Sequence, residues 1–193
     1  RRWETKVRGL EEIAGKTAVV VGLGAVGTGI AAKLKAMDMK IIGVKQRVSP
    51  LPGIDKVYSN RELDEALSQG DVVIVTLPVT DDTKDLFNIT RFKRMKPNAI
   101  FINVSRGETV VDEDLAAALK EGLIAGASLD VFRTEPLPPE NPLWDAPNLI
   151  ITPHDASLSP MYLPRTVGIF CENLKVFPAV EKMKNMVDKA RGY

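Results

Sequence analysis

The sequence predicts an α/β protein with a doubly wound parallel sheet. Short runs of apolar, often β-branched residues alternate along the chain with stretches whose apolar residues recur at helical spacing. The first run ends in three glycines, within the segment GLGAVG at 22–27, and a helical pattern follows at once. Alternating strands and helices require crossover connections, which are right-handed and place helices on both faces of a mostly parallel sheet. Ligands of such sheets bind at the carboxyl ends of the strands.

Six strands and five helices make up the predicted elements. The strands are expected at 17–21, 40–44, 71–77, 99–104, 125–131 and 149–152. The helices are expected at 25–37, 61–68, 89–95, 112–120 and 161–177. The apolar side chains near one face of the first helix are Val26, Ile30, Leu34 and Met37. Asp112 is placed to cap the fourth helix, and Gly122 is placed to end it.

The last predicted helix differs from the others in its setting, because no strand follows it. Its apolar residues form one stripe, which consists of Val167, Phe170, Cys171, Leu174 and Phe177. Pro178 then ends the helix. We expect this helix to leave the sheet, and the sequence does not indicate what it packs against.

Composition narrows the classes of function. The chain has 193 residues, of which 45% are hydrophobic and 26% are charged, which is enough for one good-sized core. A formal net charge of +1, with scattered lysines and arginines, argues against nucleic acid or an anionic membrane as a partner. No apolar run approaches the roughly 20 residues of a membrane span. The single cysteine, Cys171, and the lack of a signal-peptide pattern predict a cytoplasmic protein without internal disulfides.

The glycine segment is suited to holding the pyrophosphate of a dinucleotide. Gly22 would permit a tight turn, Gly24 would let the backbone approach a phosphate, and Gly27 would let the helix lie close to the strand. The positive end of the following helix would attract the pyrophosphate. Two alternatives stay open at this point: an ordinary strand-to-helix turn, and a methyltransferase that uses the same glycine turn for S-adenosylmethionine.

The end of the second strand indicates which dinucleotide would bind. A Rossmann-type domain that selects NAD carries a carboxylate there, which accepts hydrogen bonds from the ribose hydroxyls. This chain has Lys45, Gln46 and Arg47 instead. Two cations suit the 2′-phosphate of NADP, so we expect NADP as the preferred cofactor, with NAD as an alternative. The competing explanation is a solvated loop whose charges bind nothing.

Three side chains that follow predicted strands are candidates for chemistry. His154 is the only histidine, and imidazole suits proton transfer to or from a carbonyl or alcohol oxygen. Glu135 could bond the imidazole, fix its tautomer and favour its protonated form. Arg106 could hold a substrate carboxylate through two hydrogen bonds. Each also has a structural explanation, as a core histidine, a loop charge or a surface cation, and no metal ligands are predicted.

These residues lie in motifs that resemble the D-isomer-specific 2-hydroxyacid dehydrogenase family. The order and spacing of the motifs are similar to that family over nearly the whole chain. The matching segments are GLGAVG (22–27), LPVT (77–80), NVSRG (103–107), GASLDVF (126–132), EPLP (135–138), PLW (142–144) and TPH (152–154). The basic residues at 45–47 resemble NADP-preferring members. The segment at 159–165 is similar to a branch that reduces glyoxylate, hydroxypyruvate or a broad range of 2-oxo acids.

The resemblance implies an enzyme that reduces a 2-oxo acid to a D-2-hydroxy acid. His154 would give the proton to the substrate carbonyl oxygen, Glu135 would orient His154, and Arg106 would bind the acid. Asp130 would contact the nicotinamide carboxamide. The residues implied to contact the cofactor are Gly22, Gly24, Ala25, Val26, Gly27, Lys45, Gln46, Arg47, Thr76, Leu77, Pro78, Val104, Ser105, Asp130, His154 and Ala156.

The chain departs from the family at its start, where relatives carry the first part of a substrate domain. Here only a short stretch precedes the segment at 13–16. We therefore expect a dinucleotide-binding domain at 1–158 and a C-terminal helix and tail at 159–193, with the N-terminal part of the substrate domain missing. In relatives that tail returns to the substrate domain. Such a chain would bind the cofactor but turn over weakly or not at all.

The resemblance also leaves one functional alternative and one expectation about partners. Corepressor relatives sense NAD(P)H without catalysis and can keep the same three chemical residues, so a non-enzymatic sensor stays open. Relatives pair through the nucleotide domain, so we expect a homodimer. Trp3 and Trp144 are candidate contacts, and both could equally belong to the core of one chain.

Overall fold

The computed structural model describes residues 11–189, which contain seven strands and five α-helices. The strands are β1 Thr17–Val21, β2 Lys40–Val44, β3 Lys56–Tyr58, β4 Val72–Val75, β5 Ile100–Asn103, β6 Gly126–Leu129 and β7 Leu149–Ile151. The helices are α1 Ala25–Lys35, α2 Leu63–Leu67, α3 Ile89–Phe92, α4 Asp112–Lys120 and α5 Tyr162–Val176. Short 3₁₀ turns occur at Asn60–Glu62, Gly107–Thr109, Pro142–Asp145 and Val180–Lys182.

The strands form one parallel sheet in the order β3-β2-β1-β4-β5-β6-β7. Strand β1 lies inside the sheet; from it the chain moves outward to β2 and β3, and then returns to place β4 beside β1. The loops that leave β1 and β4 therefore diverge and open a crevice at the carboxyl ends of these strands. The glycine segment at 22–27 follows β1 and the residues at 76–79 follow β4, so both border this crevice.

Two apolar clusters cover the two faces of the sheet. Successive strand residues point to opposite faces, so neighbours along β1 belong to different clusters. The larger cluster packs α2, α3 and α4 against one face and contains the rings of Phe87, Phe92 and Phe101. The Phe101 ring centroid lies 5.0 Å from that of Phe87 and 5.3 Å from that of Phe92. The smaller cluster packs α1, through Ala31, against the opposite face.

The doubly wound parallel sheet predicted from the sequence is confirmed. All six predicted strands are present, although those expected at 71–77, 99–104 and 125–131 are shorter at both ends than their apolar runs. The sequence pattern does not predict β3, because a strand of three residues at the edge of the sheet is too short to show alternation.

The predicted apolar face of α1 is wrong in part. Val26 is 60% exposed, and Met37, which lies beyond the end of the helix, is 51% exposed. The buried helix residues are instead Gly27 and Ala31, and Leu34 packs against the smaller cluster. Small residues let the helix approach the strands closely, and a count of large apolar side chains does not detect such a face.

The N-terminus of α4 also differs from the prediction. Val111 occupies the capping position without a side-chain hydrogen bond, and Asp112 is the first helical residue. The Asp112 side chain is buried and accepts a hydrogen bond of 2.9 Å from Asn141 Nδ2. Burial raises the pKa of Asp112 despite this hydrogen bond. Gly122 has the positive φ of 68° that is typical of the residue ending a helix, as predicted.

The C-terminal helix α5 leaves its apolar stripe exposed. Val167, Phe170 and Leu174 are all exposed, and none of them belongs to either core cluster. This agrees with the prediction that the helix leaves the sheet. Within residues 11–189, no helix combines the length and the apolar character that crossing a membrane requires.

Candidate active site

The segment after β1 contains glycine at two positions where no side chain fits. A Cβ on Gly22 would lie 2.8 Å from the Thr76 carbonyl oxygen, and Gly22 has a positive φ of 101°. A Cβ on Gly27 would lie 1.9 Å from the Gly22 carbonyl oxygen. A Cβ on Gly24 would meet no atom within 4 Å, so this glycine faces open space. The turn therefore brings backbone to the wall of the crevice without covering it.

The first turn of α1 presents uncapped backbone N–H groups at the same place. Gly24 occupies the capping position and makes no side-chain hydrogen bond, and the first turn contains no acidic residue. Uncapped N–H groups and the helix dipole both favour an anion at this end of a helix. The glycine cradle and the helix end together fit the pyrophosphate of a dinucleotide.

One open cleft extends along the carboxyl ends of β1, β4 and β5. It is lined by residues 24–26, 76–79 and 104–106. The Thr76 hydroxyl donates a hydrogen bond of 2.6 Å to the Gly22 carbonyl oxygen, which joins the end of β4 to the glycine turn. The predicted cofactor residues that this cleft brings together are Gly24, Ala25, Val26, Thr76, Leu77, Pro78, Val104 and Ser105.

The three residues that follow β2 lie outside this cleft. Lys45 is half-buried, with Nζ 3.4 Å from Ser49 Oγ, and Gln46 and Arg47 are exposed. Strand β2 lies next to β1 on the side away from β4, so these residues flank the glycine turn on the side opposite Thr76. That is the position from which a Rossmann-type domain contacts the ribose.

Glu135 and His154 are hydrogen-bonded, although they come from different loops. Glu135 Oε2 lies 2.7 Å from His154 Nδ1, and Glu135 Oε1 accepts a hydrogen bond of 2.8 Å from the Phe132 N–H. Burial alone would raise the pKa of Glu135, but the hydrogen bonds from His154 and Phe132 hold it below its ordinary value. The resulting carboxylate selects the form of the imidazole that carries a proton on Nδ1, and Nε2 is then left for another partner.

Arg106 links this pair to the nucleotide cleft. A smaller cavity is lined by Arg106, Glu135 and His154 together with residues 107–108 and 131–133. Arg106 also lines the larger cleft, so the two spaces meet at its side chain. Its Nη1 donates a hydrogen bond of 2.7 Å to the Ser105 carbonyl oxygen, and the guanidinium has further N–H donors. The structure thus brings the three predicted chemical residues around one cavity.

Two buried residues of the motif at 103–107, neither of them among the predicted site residues, shape the Arg106 loop. Asn103 ends β5; its Oδ1 accepts from the Ser105 N–H at 3.0 Å and its Nδ2 donates to the Arg106 carbonyl oxygen at 3.1 Å. A Cβ on Gly107 would lie 1.9 Å from the Phe132 carbonyl carbon. The loop that carries Arg106 therefore touches the backbone of the loop that leads to Glu135. A polar residue that closes an apolar strand is the sequence signal for Asn103.

Asp130 directly follows β6 and accepts hydrogen bonds from the segment after β7. Its Oδ1 accepts hydrogen bonds from Thr152 Oγ1 at 2.6 Å and from the Asp155 N–H at 3.0 Å. Its Oδ2 accepts from the Ala156 N–H at 3.0 Å. Burial alone would raise the pKa of Asp130, but these hydrogen bonds hold it below its ordinary value. Thr152 and Asp155 are absent from the predicted site, and the contact of Asp130 with a carboxamide stays a prediction.

One of the two candidate dimer contacts, Trp144, lies at the surface of the chain. Trp144 is exposed, and its Nε1 donates a hydrogen bond of 2.9 Å to the Pro138 carbonyl oxygen. Trp3 lies outside the described residues. No group of three or more His, Cys, Asp or Glu side chains that could hold a metal ion occurs in the described part of the chain.

Comparison with known proteins gives one family match. The family model described as D-isomer specific 2-hydroxyacid dehydrogenase, NAD binding domain, matches residues 1–156. A glyoxylate reductase from Thermofilum pendens is 40% identical over 84% of this chain and 48% of its own length. A glyoxylate reductase from Korarchaeum cryptofilum is 35% identical over 92% of this chain and 54% of its own length.

Solved structures agree with this match. An NADPH-dependent glyoxylate/hydroxypyruvate reductase from Sinorhizobium meliloti, in complex with NADP and sulfate, has a TM-score of 0.89 at 34% identity. The match covers 98% of this chain and 61% of that one. A probable 2-hydroxyacid dehydrogenase from Rhizobium etli, in complex with NADP, HEPES and L(+)-tartaric acid, has a TM-score of 0.86 at 33% identity, with coverages of 99% and 60%. The chain spans about half the length of the two glyoxylate reductases.

Proposed function

The chain belongs to the D-isomer specific 2-hydroxyacid dehydrogenase family, and we propose that it is the nucleotide-binding part of an NADPH-dependent 2-oxo acid reductase. The product would be a D-2-hydroxy acid. One observation carries the proposal: Arg106, Glu135 and His154 line a single cavity that adjoins the glycine-turn cleft. A nucleotide in the cleft and an acid in the cavity would then be neighbours.

Each of the three side chains has a part in the proposed reduction. Arg106 binds the carboxylate of the 2-oxo acid and keeps the adjacent carbonyl beside the cleft. His154 gives a proton from Nε2 to the carbonyl oxygen, and Glu135 holds the imidazole in place through Nδ1. A nicotinamide held in the cleft would supply the hydride for the carbonyl carbon. The carbon–oxygen double bond thereby becomes the C–H and O–H of a hydroxy acid.

We propose NADP as the preferred dinucleotide. Lys45 and Arg47 follow β2 and flank the glycine turn, and no carboxylate occurs between residues 45 and 49. Two cations without a competing acid favour a 2′-phosphate over a 2′-hydroxyl. The structural relatives from Sinorhizobium meliloti and Rhizobium etli, both in complex with NADP, support the same choice. Small 2-oxo acids of the glyoxylate and hydroxypyruvate type are the proposed substrates, following the names of the relatives.

The division of the chain is also part of the proposal. Residues 1–158 would form the nucleotide domain, and residues 159–193 would belong to the connection with a substrate domain, consistent with the exposed apolar stripe of α5. Because this chain spans about half the length of the two glyoxylate reductases, we propose that one wall of the cleft comes from a substrate domain outside these 193 residues. We therefore expect dinucleotide binding with little or no turnover from these 193 residues. A cytoplasmic homodimer with Trp144 near its contact remains the proposal for assembly and location.

Fluorescence titration with NADPH and NADH tests the proposal on the chain as it exists. We expect the wild-type chain to bind NADPH more tightly than NADH. Lys45→Glu combined with Arg47→Glu should weaken the affinity for NADPH by about tenfold or more and change the affinity for NADH little. Lys93→Glu, an exposed lysine beyond α3, is the matched control and should leave both affinities unchanged. Equal affinities, or tighter NADH, would contradict the NADP assignment, and binding of S-adenosylmethionine without NADPH would contradict the dehydrogenase assignment.

A turnover assay addresses the enzyme itself. Steady-state loss of NADPH absorbance with glyoxylate or hydroxypyruvate should be slow or absent for the 193-residue chain. Full turnover by this chain, with its length checked by intact mass, would contradict the proposed need for a second domain.

A further inference from the structure

His154 occupies a backbone conformation that its surroundings must impose. Its φ is +56°, in the left-handed region that residues other than glycine seldom adopt. The residue lies three positions beyond the end of β7, in a loop whose residues 153–156 are exposed. A loop in this state would relax to an ordinary conformation unless hydrogen bonds held it.

Those hydrogen bonds converge on Asp130 from both sides of His154. Thr152 Oγ1 donates from the preceding side, at 2.6 Å, and the N–H groups of Asp155 and Ala156 donate from the following side, each at 3.0 Å. The carboxylate is buried, at 5% relative exposure, so water competes little for these bonds. The three donors therefore fix the loop at points on either side of the imidazole.

The Thr152 hydroxyl is the donor that the backbone cannot replace. Pro153 has no N–H. The His154 N–H already bonds the Thr152 carbonyl oxygen at 3.1 Å, and the Thr152 N–H bonds the Leu129 carbonyl oxygen at 3.0 Å. On the preceding side of His154, only the side chain of Thr152 reaches the carboxylate of Asp130.

We infer that Thr152 and Asp130 are positioning residues for His154. Together they impose the left-handed turn that brings His154 Nδ1 to Glu135 Oε2. This role of Asp130 is compatible with the predicted carboxamide contact, since Oδ2 has capacity for one further donor. The inference rests on the proposed function only in that His154 is the proton donor there.

The chain contains one histidine, so ring ¹⁵N signals in NMR report His154 alone. Thr152→Val keeps the shape of the side chain and removes the donor, whereas Thr152→Ser keeps the donor. Thr166→Val is the matched control, because its hydroxyl bonds only within exposed α5, to the Tyr162 carbonyl oxygen. All variants are measured at one pH near neutrality, and hydrogen exchange of the backbone N–H groups is followed in the same samples.

With Thr152→Val we expect the Asp155 and Ala156 N–H groups to exchange about tenfold faster or more, because one hydrogen bond to a buried carboxylate is lost. The Nδ1 and Nε2 signals should move toward the pattern of a free imidazole that samples both tautomers. Thr152→Ser and Thr166→Val should retain the wild-type ring pattern. Exchange of the Phe101 N–H, in the core strand β5, separates this local effect from global unfolding.

A wild-type ring pattern and wild-type exchange in Thr152→Val would overturn the inference, as would a Thr152→Ser protein that behaves like Thr152→Val. If Thr152→Val does not fold, Asp130→Asn tests the same inference. The asparagine keeps one acceptor oxygen, so at least one of the three hydrogen bonds should be lost, and the ring signals of His154 should change in the same way. NADPH titration of the same samples separates the two hypotheses. If the ring signals change in Thr152→Val but the wild-type chain does not bind NADPH, only the proposed function is contradicted. If the wild-type chain binds NADPH but the ring signals of Thr152→Val are unchanged, only the positioning role is contradicted.

Discussion

Replacement of Gly27 by alanine should damage both the stability of the chain and its dinucleotide site. The added Cβ would lie 1.9 Å from the Gly22 carbonyl oxygen and 2.7 Å from Thr76 Oγ1. An ordinary contact needs about 3.5 Å, so the start of α1 and the glycine turn would have to separate by roughly 1.5 Å. The Gly22 carbonyl oxygen is backbone of the turn and cannot rotate away, and Thr76 Oγ1 is held in place by its hydrogen bond to that same oxygen.

The cost follows from what this separation breaks. Overpacking of a well-packed contact costs about 1–3 kcal/mol. The movement also strains the hydrogen bond of 2.6 Å from Thr76 Oγ1 to the Gly22 carbonyl oxygen, which is worth about 0.5–1.5 kcal/mol. We expect the free energy of unfolding to fall by about 2–4 kcal/mol. NADPH affinity should fall by about tenfold or more, because the N–H groups of α1 would leave the position of the pyrophosphate.

Gly29 offers a matched control in the same helix. A Cβ at Gly29 would meet no atom within 4 Å, so Gly29→Ala adds only helix propensity and should raise the free energy of unfolding by about 0.5–1 kcal/mol. Urea unfolding followed by far-UV circular dichroism measures stability, and NADPH fluorescence measures binding. If Gly27→Ala proves as stable as Gly29→Ala and binds NADPH equally well, the close packing of turn and helix cannot be the reason for glycine at 27.

Two further predictions concern carboxylates that accept hydrogen bonds, the half-buried Asp71 and the buried Asp112, and can be checked by urea unfolding across pH. Burial alone would raise the pKa of Asp71, but hydrogen bonds from Lys96 and the Thr17 N–H hold it below 3.8. Asp71→Asn should therefore lower the free energy of unfolding by about 1–3 kcal/mol at pH 7. That difference should persist above pH 3.8 and shrink as pH falls through the lowered pKa, and a difference independent of pH would contradict it. Asn141→Ala removes the donor to Asp112 and should cost about 1–2 kcal/mol at pH 7. Burial raises the pKa of Asp112, so Asp112 takes up its proton at a higher pH than Asp71 does. As the pH is lowered, the loss of stability caused by Asn141→Ala should therefore shrink earlier than the loss caused by Asp71→Asn. An equal loss at pH 3 and pH 7 would argue against the buried charge as its cause.

The sequence predicts most of the fold because the strands and turns of this chain leave a pattern within a few consecutive residues. Apolar runs mark six of the seven strands, and the glycines at 22, 24 and 27 mark the turn between β1 and α1. Sequence reasoning fails where the deciding property is contact rather than pattern. The buried face of α1 consists of Gly27 and Ala31, since close approach to β1 excludes larger side chains.

The site was predictable to a smaller extent. Residue chemistry alone suggests Arg106, Glu135 and His154 as candidates after strand ends, and the family resemblance assigns them roles that remain predictions. The sequence does not indicate that Glu135 lies 2.7 Å from His154, because the two residues come from loops after different strands. The motif at 103–107 contains Asn103, but the sequence does not indicate that its amide shapes the Arg106 loop from a buried position.

By itself, the sequence determined the sheet, the glycine turn and the residue types at the ends of the strands, because these depend on hydrophobic periodicity and on backbone freedom within a few residues. The tertiary structure decided which of these ends meet. The parallel order β1-β4-β5-β6-β7 places loops that are far apart in the chain at one edge. Only there can Asp130 accept hydrogen bonds from both sides of His154 and hold the left-handed turn that brings the imidazole to Glu135.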